Sequence, residues 1–458
     1  MKQIRPHQNV NQARRLNFDR TTVCNVLAFI VVGSMLSSCG TAIITNQDSV
    51  VTDTTRVAPL RFDKILTVTV TSSDIRSSIE KLYGGKVVTW HPESSFATLG
   101  LSTTAASVLK ASTKIIALES NKNTIRPPET AIRAAALGIG TWASGWSTWG
   151  AGWSIWGSGA GSSLTPTENQ PIWDQIRLPQ ARAIATNAGM GIKVAVIDTG
   201  IDLQHPAFQG RLVADSDMFD WIDGDQTPQE VLGGSNEAYG HGTSVAGIAL
   251  QVAENAKIMP LRVLDSSGYG DVSNVAAAID WAVAHGAQVI NLSLGADYLK
   301  SLDQTISSAT SKGVFVIAAS GNSGDTNINF PASASEGITS TAGMRIGVGS
   351  VGLTDVKSLF STYGTNLEMV ANGEMVYGPA PSNQLAAWSG TSMATPMVSG
   401  GLALALGQSN YGGLTKNLGI DLVNTVDNIN AKNSSLTPGV LGTGRLNLER
   451  FMQKTLTY

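Results

Sequence analysis

From about residue 170 to its end, the chain alternates short apolar runs with segments whose apolar residues recur at helical spacing. That spacing is clearest at Val272, Val275, Ile279 and Val283. The apolar runs lack polar alternation, which predicts strands buried on both faces in a mostly parallel sheet covered by helices on either side. The sequence therefore predicts a three-layer α/β domain over residues 169–458. Its strands are expected at Lys193–Ile197, Ile258–Leu264, Val289–Leu294 and Val314–Ala319.

A smaller α+β domain is predicted before it, over residues 51–125. Ser73 and Asp74 can cap a helix, and Gly84 and Gly85 can end it. The order of elements predicts a small plait of the ferredoxin-like kind. A strand, a helix, a hairpin, a short helix and a last strand are expected at Ile65–Val70, Ile75–Tyr83, Val87–Leu101, Thr103–Ala111 and Ile115–Leu118.

Residues 126–168 join the two domains and are rich in Trp, Gly and Ser. Pro127 and Pro128 break the chain at the start of this segment, and the segment carries five of the protein's ten tryptophans. Its glycine and serine content is typical of a flexible linker. Indoles that pack on the large α/β domain or at a membrane interface are the alternative. The sequence leaves both interpretations open.

The N-terminus is typical of an export signal. Several basic residues precede the apolar run Val23–Leu36, which is short for a membrane span. The sequence Leu36-Ser37-Ser38-Cys39 resembles the cleavage box of bacterial lipoproteins, which implies a signal peptide at 1–38, a lipid on Cys39 and a tether at 39–50. An ordinary signal peptide and a retained transmembrane helix are the alternatives. We expect an exported protein, extracellular or at the cell envelope, anchored by the lipid.

Charge and cysteine usage narrow the classes of function. The formal net charge of -3 and the pI near 6.0 give no electrostatic reason to expect nucleic acid as a partner. The two cysteines, Cys24 and Cys39, both precede residue 40. The rest of the chain therefore contains neither a disulfide nor a cysteine metal site, and its stability must come from a large core or from bound ions.

Three short motifs carry candidate catalytic side chains. Asp198 ends a buried strand, where open parallel sheets place functional groups. His241 precedes a helix of small residues, and Ser392 begins a long apolar helix, where backbone N–H groups favour negative charge. Taken singly, each has a structural alternative: a turn cap, a core histidine or an N-cap. The motifs are Val196–Ile201, Gly240–Ile248 and Trp388–Pro396.

Together the three side chains predict nucleophilic catalysis. A serine hydroxyl needs a base at neutral pH, and an imidazole serves best when a carboxylate fixes its tautomer. The α/β-hydrolases have a different chain order and a Gly-x-Ser-x-Gly elbow, whereas Ala394 ends that window here. An aspartic protease would require a second Asp-Thr-Gly, which the sequence lacks.

With these motifs, the region from Pro171 to Leu448 resembles the subtilases, the subtilisin-like serine proteases of peptidase family S8. The resemblance implies a triad of Asp198, His241 and Ser392. It also implies Asn322 as an oxyanion-hole donor. Two edge segments would pair with the substrate backbone: Gly268, Tyr269 and Gly270, and Ser293, Leu294 and Gly295. By the same resemblance, residues 51–125 would be an inhibitory propeptide.

The chain departs from the subtilase pattern at two positions and leaves a metal site undecided. Ser244 stands where many relatives have a second histidine, and Asn372 replaces a proline. The acidic turn from Asp215 to Asp225 resembles a calcium loop, although its spacing is not that of an EF-hand. A structural calcium ion and a solvated acidic loop remain equal alternatives, and we assign no metal ligands.

The leading functional hypothesis is a secreted serine endopeptidase that works through an acyl-enzyme and is made as an autoprocessed zymogen. A catalytically silent, subtilisin-like binding lipoprotein is the alternative from another class, and a processing protease with few substrates is a third. We expect a monomer whose partners are polypeptide substrates, its own propeptide and, through Cys39, a membrane. The residues expected near the substrate pocket carry no charge, which predicts a preference for apolar or uncharged substrate side chains. They are Ser293 to Gly295, Ala319, Ser320, Phe330 and Pro331.

Overall fold

The computed structural model describes residues 61–121, 154–156, 166–233, 238–334, 343–408 and 415–456. The predicted signal peptide, Cys39, the tether and most of the linker lie outside these ranges. No helix within them is long and apolar enough to cross a membrane.

The small domain is an antiparallel four-stranded sheet with two helices. Its strands lie in the order β2-β3-β1-β4, as expected for a ferredoxin-like plait. Apolar side chains such as Leu66, Ile79 and Leu99 form its core. The elements are β1 (Lys64–Val68), α1 (Arg76–Tyr83), β2 (Lys86–His91), β3 (Phe96–Leu101), α2 (Thr103–Ser107) and β4 (Ile115–Ser120).

The predicted cap of α1 is wrong. The N-cap residue is Ile75, and no side chain caps the helix there. Asp74 instead accepts the backbone N–H of Thr71 at 2.8 Å, which closes the turn before the helix. The C-terminal stop is as expected, because Gly84 adopts a left-handed φ of 69°.

The large domain is built on a seven-stranded parallel sheet in the order β12-β11-β10-β9-β6-β8-β7. This confirms the expected parallel sheet and its four predicted strands. From the linker segment to the C-terminus the strands are β5 (Ser154–Trp156), β6 (Lys193–Asp198), β7 (Phe219–Asp220), β8 (Lys257–Arg262), β9 (Val289–Leu292), β10 (Phe315–Ala319), β11 (Arg345–Val351), β12 (Met369–Asn372), β13 (Val376–Ala380), β14 (Gln384–Trp388) and β15 (Val440–Thr443).

Helices cover both faces of this sheet. Along β6, Val194 and Val196 pack into one apolar cluster, whereas Ala195 and Ile197 pack into another on the opposite face. The first cluster includes α5 and α8, and the second includes α6 and α7. The three-layer prediction is confirmed. The helices are α3 (Gln170–Gln175), α4 (Leu178–Ile184), α5 (His241–Val252), α6 (Val272–Ala284), α7 (Lys300–Ser311), α8 (Thr391–Leu406), α9 (Thr415–Asn424) and α10 (Leu448–Leu456).

Part of the Trp-rich segment contacts the large domain through its backbone. Strand β5 pairs antiparallel with β14, which also pairs with β13. Three residues of the predicted linker therefore extend the hairpin that leads to α8. The other residues of the segment before residue 166 lie outside the described ranges, so the flexible linker and the packed indoles both stay predictions.

The small domain docks against the N-termini of α6 and α7. The Glu119 carboxylate accepts the backbone N–H of Lys300 at 2.6 Å and that of Ser301 at 2.9 Å, at the start of α7. Asn121 accepts the N–H of Ser273 at 2.9 Å, at the start of α6. The first N–H groups of a helix lack partners within the helix, so both contacts satisfy donors that would otherwise need water.

Candidate active site

Asp198 and His241 form a buried hydrogen-bonded pair at the carboxyl edge of the parallel sheet. Asp198 is the last residue of β6 and His241 the first residue of α5. Asp198 Oδ1 lies 2.8 Å from His241 Nδ1, and Oδ1 also accepts the backbone N–H of Thr199 at 2.8 Å. Both side chains are almost fully buried, with relative exposures of 0% and 2%. In this geometry the carboxylate can hold the Nδ1–H tautomer and leave Nε2 to act as a base.

Two glycines let the helix approach the strand end this closely. Gly240 precedes His241 with a φ of 93°, a left-handed conformation that glycine adopts most readily. At Gly242 a Cβ would lie 2.1 Å from the carbonyl oxygen of Gly200. The small residues around His241 thus allow close packing of helix and strand.

Ser392 is the second residue of α8 and lies at the same edge of the sheet. Its Oγ is 3.4 Å from the carbonyl oxygen of Ser293, while the Ser293 hydroxyl donates to the carbonyl oxygen of Ser392 at 2.9 Å. The indole of Trp388, just before the helix, meets the His241 ring edge-on with 6.0 Å between ring centroids. The hairpin that leads to Ser392 therefore packs against the residue predicted to be its base.

Asn322 is held next to the backbone that leads into Ser392. Its Oδ1 accepts both the N–H of Thr391 at 2.8 Å and the Thr391 hydroxyl at 3.0 Å. Its Nδ2 lies close to Gly390, where a Cβ would be 3.2 Å away. Because Oδ1 accepts both of these hydrogen bonds, Nδ2 is the atom that this amide could offer to an oxyanion as a donor.

The segment Gly268–Gly270 forms a tight turn before α6. Asp265 Oδ1 accepts the backbone N–H groups of Ser267 and Tyr269, and the Asp265 N–H donates to the Tyr269 carbonyl at 2.9 Å. The Tyr269 side chain is 46% exposed. At Gly270 a Cβ would lie 2.3 Å from the Val263 carbonyl oxygen, so this glycine serves the turn itself.

The second predicted edge segment, Ser293–Gly295, follows β9. Ser293 contacts Ser392 directly, and Leu294 is fully buried. A Cβ at Gly295 would lie 2.8 Å from the Asn329 amide nitrogen, so glycine is required for this approach. Of the two edge segments, Ser293–Gly295 is therefore the one that the structure joins to the candidate nucleophile.

The two departures from the subtilase pattern have local structural reasons. Ser244 is fully buried, and a Cβ on its neighbour Gly378 would lie 2.7 Å from the Ser244 hydroxyl. The small serine thus fits a backbone that approaches closely. Asn372 donates to Gln175 at 3.1 Å and accepts the N–H of Glu374, so its amide joins the end of α3 to the turn after β12.

The acidic turn does not fit a calcium site. Lys193 contacts the Asp217 carboxylate at 2.8 Å. Arg262 binds Asp220 at 2.8 Å and Asp223 at 2.6 Å. Calcium requires several converging oxygen ligands, but basic side chains already neutralise these carboxylates. Throughout the described ranges, no group of three or more His, Cys, Asp or Glu side chains could hold a metal ion.

Sequence reasoning missed a buried glutamate beside the Asp198–His241 pair. Glu230 is 3% exposed and accepts hydrogen bonds from Thr199 and Thr243. Both threonines belong to the quoted motifs, but nothing in the sequence around Glu230 marked it. The residue comes close to the site only because the loop after β7 folds back beneath α5.

The fold and the site define a class: a subtilisin-like serine endopeptidase. Residues 189–433 match the family described as "Peptidase_S8: Subtilase family". The chain is 38% identical to thermitase of Thermoactinomyces vulgaris over 61% of its own length and 94% of that protein. It is 36% identical to subtilisin Savinase of Lederbergia lenta, over 57% of its own length and 90% of that protein. The chain belongs to the subtilase family.

Proposed function

We propose that this chain is an exported endopeptidase whose triad is Asp198, His241 and Ser392. The observation that carries the proposal is the buried contact of 2.8 Å between Asp198 and His241, at the sheet edge where Ser392 begins α8. Burying a carboxylate without a partner costs free energy of folding, so the buried Asp198 requires a partner such as His241.

The residues would act in a defined order. Ser392 Oγ attacks the carbonyl carbon of the scissile peptide bond while its proton passes to His241, and Asp198 stabilises the imidazolium that forms. Asn322 Nδ2 and the backbone N–H of Ser392 would donate to the tetrahedral oxyanion. When this intermediate collapses, His241 returns the proton to the departing amine and an ester remains on Ser392. Water then attacks the ester in the same way and releases the acid.

Peptide hydrolysis by serine variants tests this assignment. We expect Ser392→Ala to abolish cleavage of a denatured protein substrate. A matched control is Ser399→Ala, since Ser399 is a buried serine on the same helix that donates to Asn291 at 2.8 Å. It should retain activity. Equal turnover by wild type and Ser392→Ala would favour the catalytically silent binding protein.

The zymogen part of the proposal is supported by the docking of residues 61–121. Glu119 and Asn121 satisfy the N-terminal donors of α7 and α6, the helix that follows Gly268–Gly270. Because the small domain is bound beside Gly268–Gly270, it can hold the chain that follows it near Ser392 until that chain is cut. Purified Ser392→Ala should accumulate with residues 51–125 still attached, whereas wild type should lose them. Intact wild-type protein would contradict autoprocessing.

Export and anchoring rest on the sequence of residues 1–50 alone. We propose that the chain is cut before Cys39, carries lipid there and is held at the cell envelope. Mass spectrometry of the N-terminal peptide from whole cells tests this. The lipid mass should be present in wild type and absent from Cys39→Ser. The preference for apolar or uncharged substrate side chains is tested with a peptide library, where a strong preference for Arg or Lys would refute it.

A further inference from the structure

Glu230 is buried between the two segments that carry Asp198 and His241, and four donors hold its carboxylate. Oε1 accepts the Thr199 hydroxyl and, at 2.9 Å, the N–H of Gly240. Oε2 accepts the Thr243 hydroxyl and, at 3.3 Å, the N–H of Thr243. Thr199 directly follows Asp198, and Gly240 directly precedes His241. One side chain thus joins the end of β6 to the start of α5.

The two hydroxyls give this network a fixed direction. Thr199 Oγ1 accepts the N–H of Gly242 at 2.9 Å, and Thr243 Oγ1 accepts the N–H of Asp202 at 2.8 Å. Each hydroxyl oxygen therefore accepts a hydrogen bond from a backbone N–H of the opposite segment and donates its own proton in a hydrogen bond to Glu230. All four bonds can form together only when the carboxyl group is ionised, because a proton on either oxygen would face a hydroxyl or amide proton.

Burial opposes that ionisation. It raises the pKa of Glu230 to about 7, and the nearby charge of Asp198 acts in the same direction, although the threonine hydroxyls and the Gly240 N–H oppose the shift. The other titratable groups of these segments are Asp202, Tyr239 and His241. Glu230 therefore changes charge in the pH range in which an imidazole ordinarily titrates.

We propose that Glu230 is a positioning residue for the Asp198–His241 pair. Through Thr199, Gly240 and Thr243, its ionised carboxylate fixes the positions of Asp198 and His241 relative to each other. This inference rests on the proposed function. Glu230 touches neither the substrate segments nor the hydroxyl of Ser392 in any contact described above. Its effect should therefore fall on kcat and leave KM within about twofold.

The experiment compares the pH profiles of kcat and kcat/KM for wild type and Glu230→Gln between pH 5.5 and pH 9. Glutamine resembles the protonated acid, since it also places a donor in the network. At pH 9 we expect wild type to exceed the variant about tenfold in kcat, the loss expected for one charge-assisted bond. At pH 5.5, where wild-type Glu230 is protonated, the ratio should approach one. The acid limb of the wild-type profile should be steeper than that of the variant.

Three further variants separate positioning from general destabilisation. Thr199→Val removes the hydroxyl and should lower kcat at pH 9, whereas Thr199→Ser keeps it and should restore activity. Glu368→Gln is the matched control. Glu368 is also buried and accepts the N–H of Gly347 at 2.7 Å, next to the opposite, amino-terminal end of the sheet. It should leave the shape of the pH profile unchanged.

The outcomes distinguish this inference from the proposed function. If wild type and Ser392→Ala hydrolyse the substrate equally, the proposed function fails and the inference fails with it. If wild type is active but its ratio to Glu230→Gln stays constant across the pH range, only the inference is overturned. A failure of Thr199→Ser to exceed Thr199→Val would also overturn it, even if Glu230→Gln did not fold.

Discussion

Replacing Glu119 should weaken the binding of the small domain more than any other single change at its described interface. At this interface the Glu119 carboxylate bonds two helix-start N–H groups, at 2.6 and 2.9 Å. A hydrogen bond to a charged group contributes about 1.5–3 kcal/mol. Losing both should cost about 3 kcal/mol, or about 100-fold in the inhibition constant. Glu119→Gln keeps one acceptor and should cost about tenfold.

The assay titrates mature enzyme with separately prepared residues 51–125 and measures the inhibition constant for each variant. Any cost of ordering the small domain is common to the variants and cancels in their ratios. Glu93→Gln is a matched control, because Glu93 contacts Lys312 across the same interface at 2.9 Å but is 51% exposed. Such a pair contributes little, about 0–1 kcal/mol. Inhibition constants within threefold for Glu119→Ala and wild type would refute the docking account.

Three further predictions concern the site. Asn322→Ala should lower kcat about 100- to 1,000-fold and leave the thermal stability unchanged, because removal of an oxyanion-hole donor in subtilisin lowers kcat by that factor. A decrease in kcat of less than tenfold would exclude Asn322 from the oxyanion hole. Gly242→Ala should lower the free energy of unfolding in urea by about 1–3 kcal/mol, because the added Cβ would lie 2.1 Å from the Gly200 carbonyl oxygen. An unchanged unfolding midpoint would contradict that close approach. Glu230→Gln should gain stability relative to wild type as the pH rises from about 4.5 to about 7. The pKa of Glu230 in the folded protein, about 7, lies above the usual 4.5, so the unfolded chain releases this proton first and wild type loses stability over that range. A parallel pH dependence of the two melting temperatures would argue against a raised pKa.

The sequence predicted the sheet because buried parallel strands leave a local signal. Val194 and Ala195 face opposite helix layers, and both must be apolar, so the run is visible without knowledge of its neighbours. The candidate residues could be predicted from the sequence for a similar reason. They are Asp198, His241 and Ser392. Each lies at the junction of two elements whose patterns are local, and their chain order combined three weak signals.

What the sequence missed depends on contacts between distant residues. Glu230 bonds Thr199 and Thr243, which are 31 and 13 positions away. Sequence reasoning also missed that Arg262, 39 positions from Asp223, pairs with a carboxylate of the acidic turn. No local pattern contains such pairings. The cap of α1 was wrong for a smaller reason: Asp74 had a competing backbone donor at Thr71.

The central claim is that Ser392 is a nucleophile activated by His241 and Asp198. The most direct measurement is the mass of the adduct formed with a fluorophosphonate, mapped by peptide sequencing in wild type and in Asp198→Asn. The account predicts one phosphonylated residue, Ser392, and labelling slowed by orders of magnitude in Asp198→Asn, whose imidazole would hold the wrong tautomer. An adduct on another serine, or equal labelling rates in the two proteins, would contradict it.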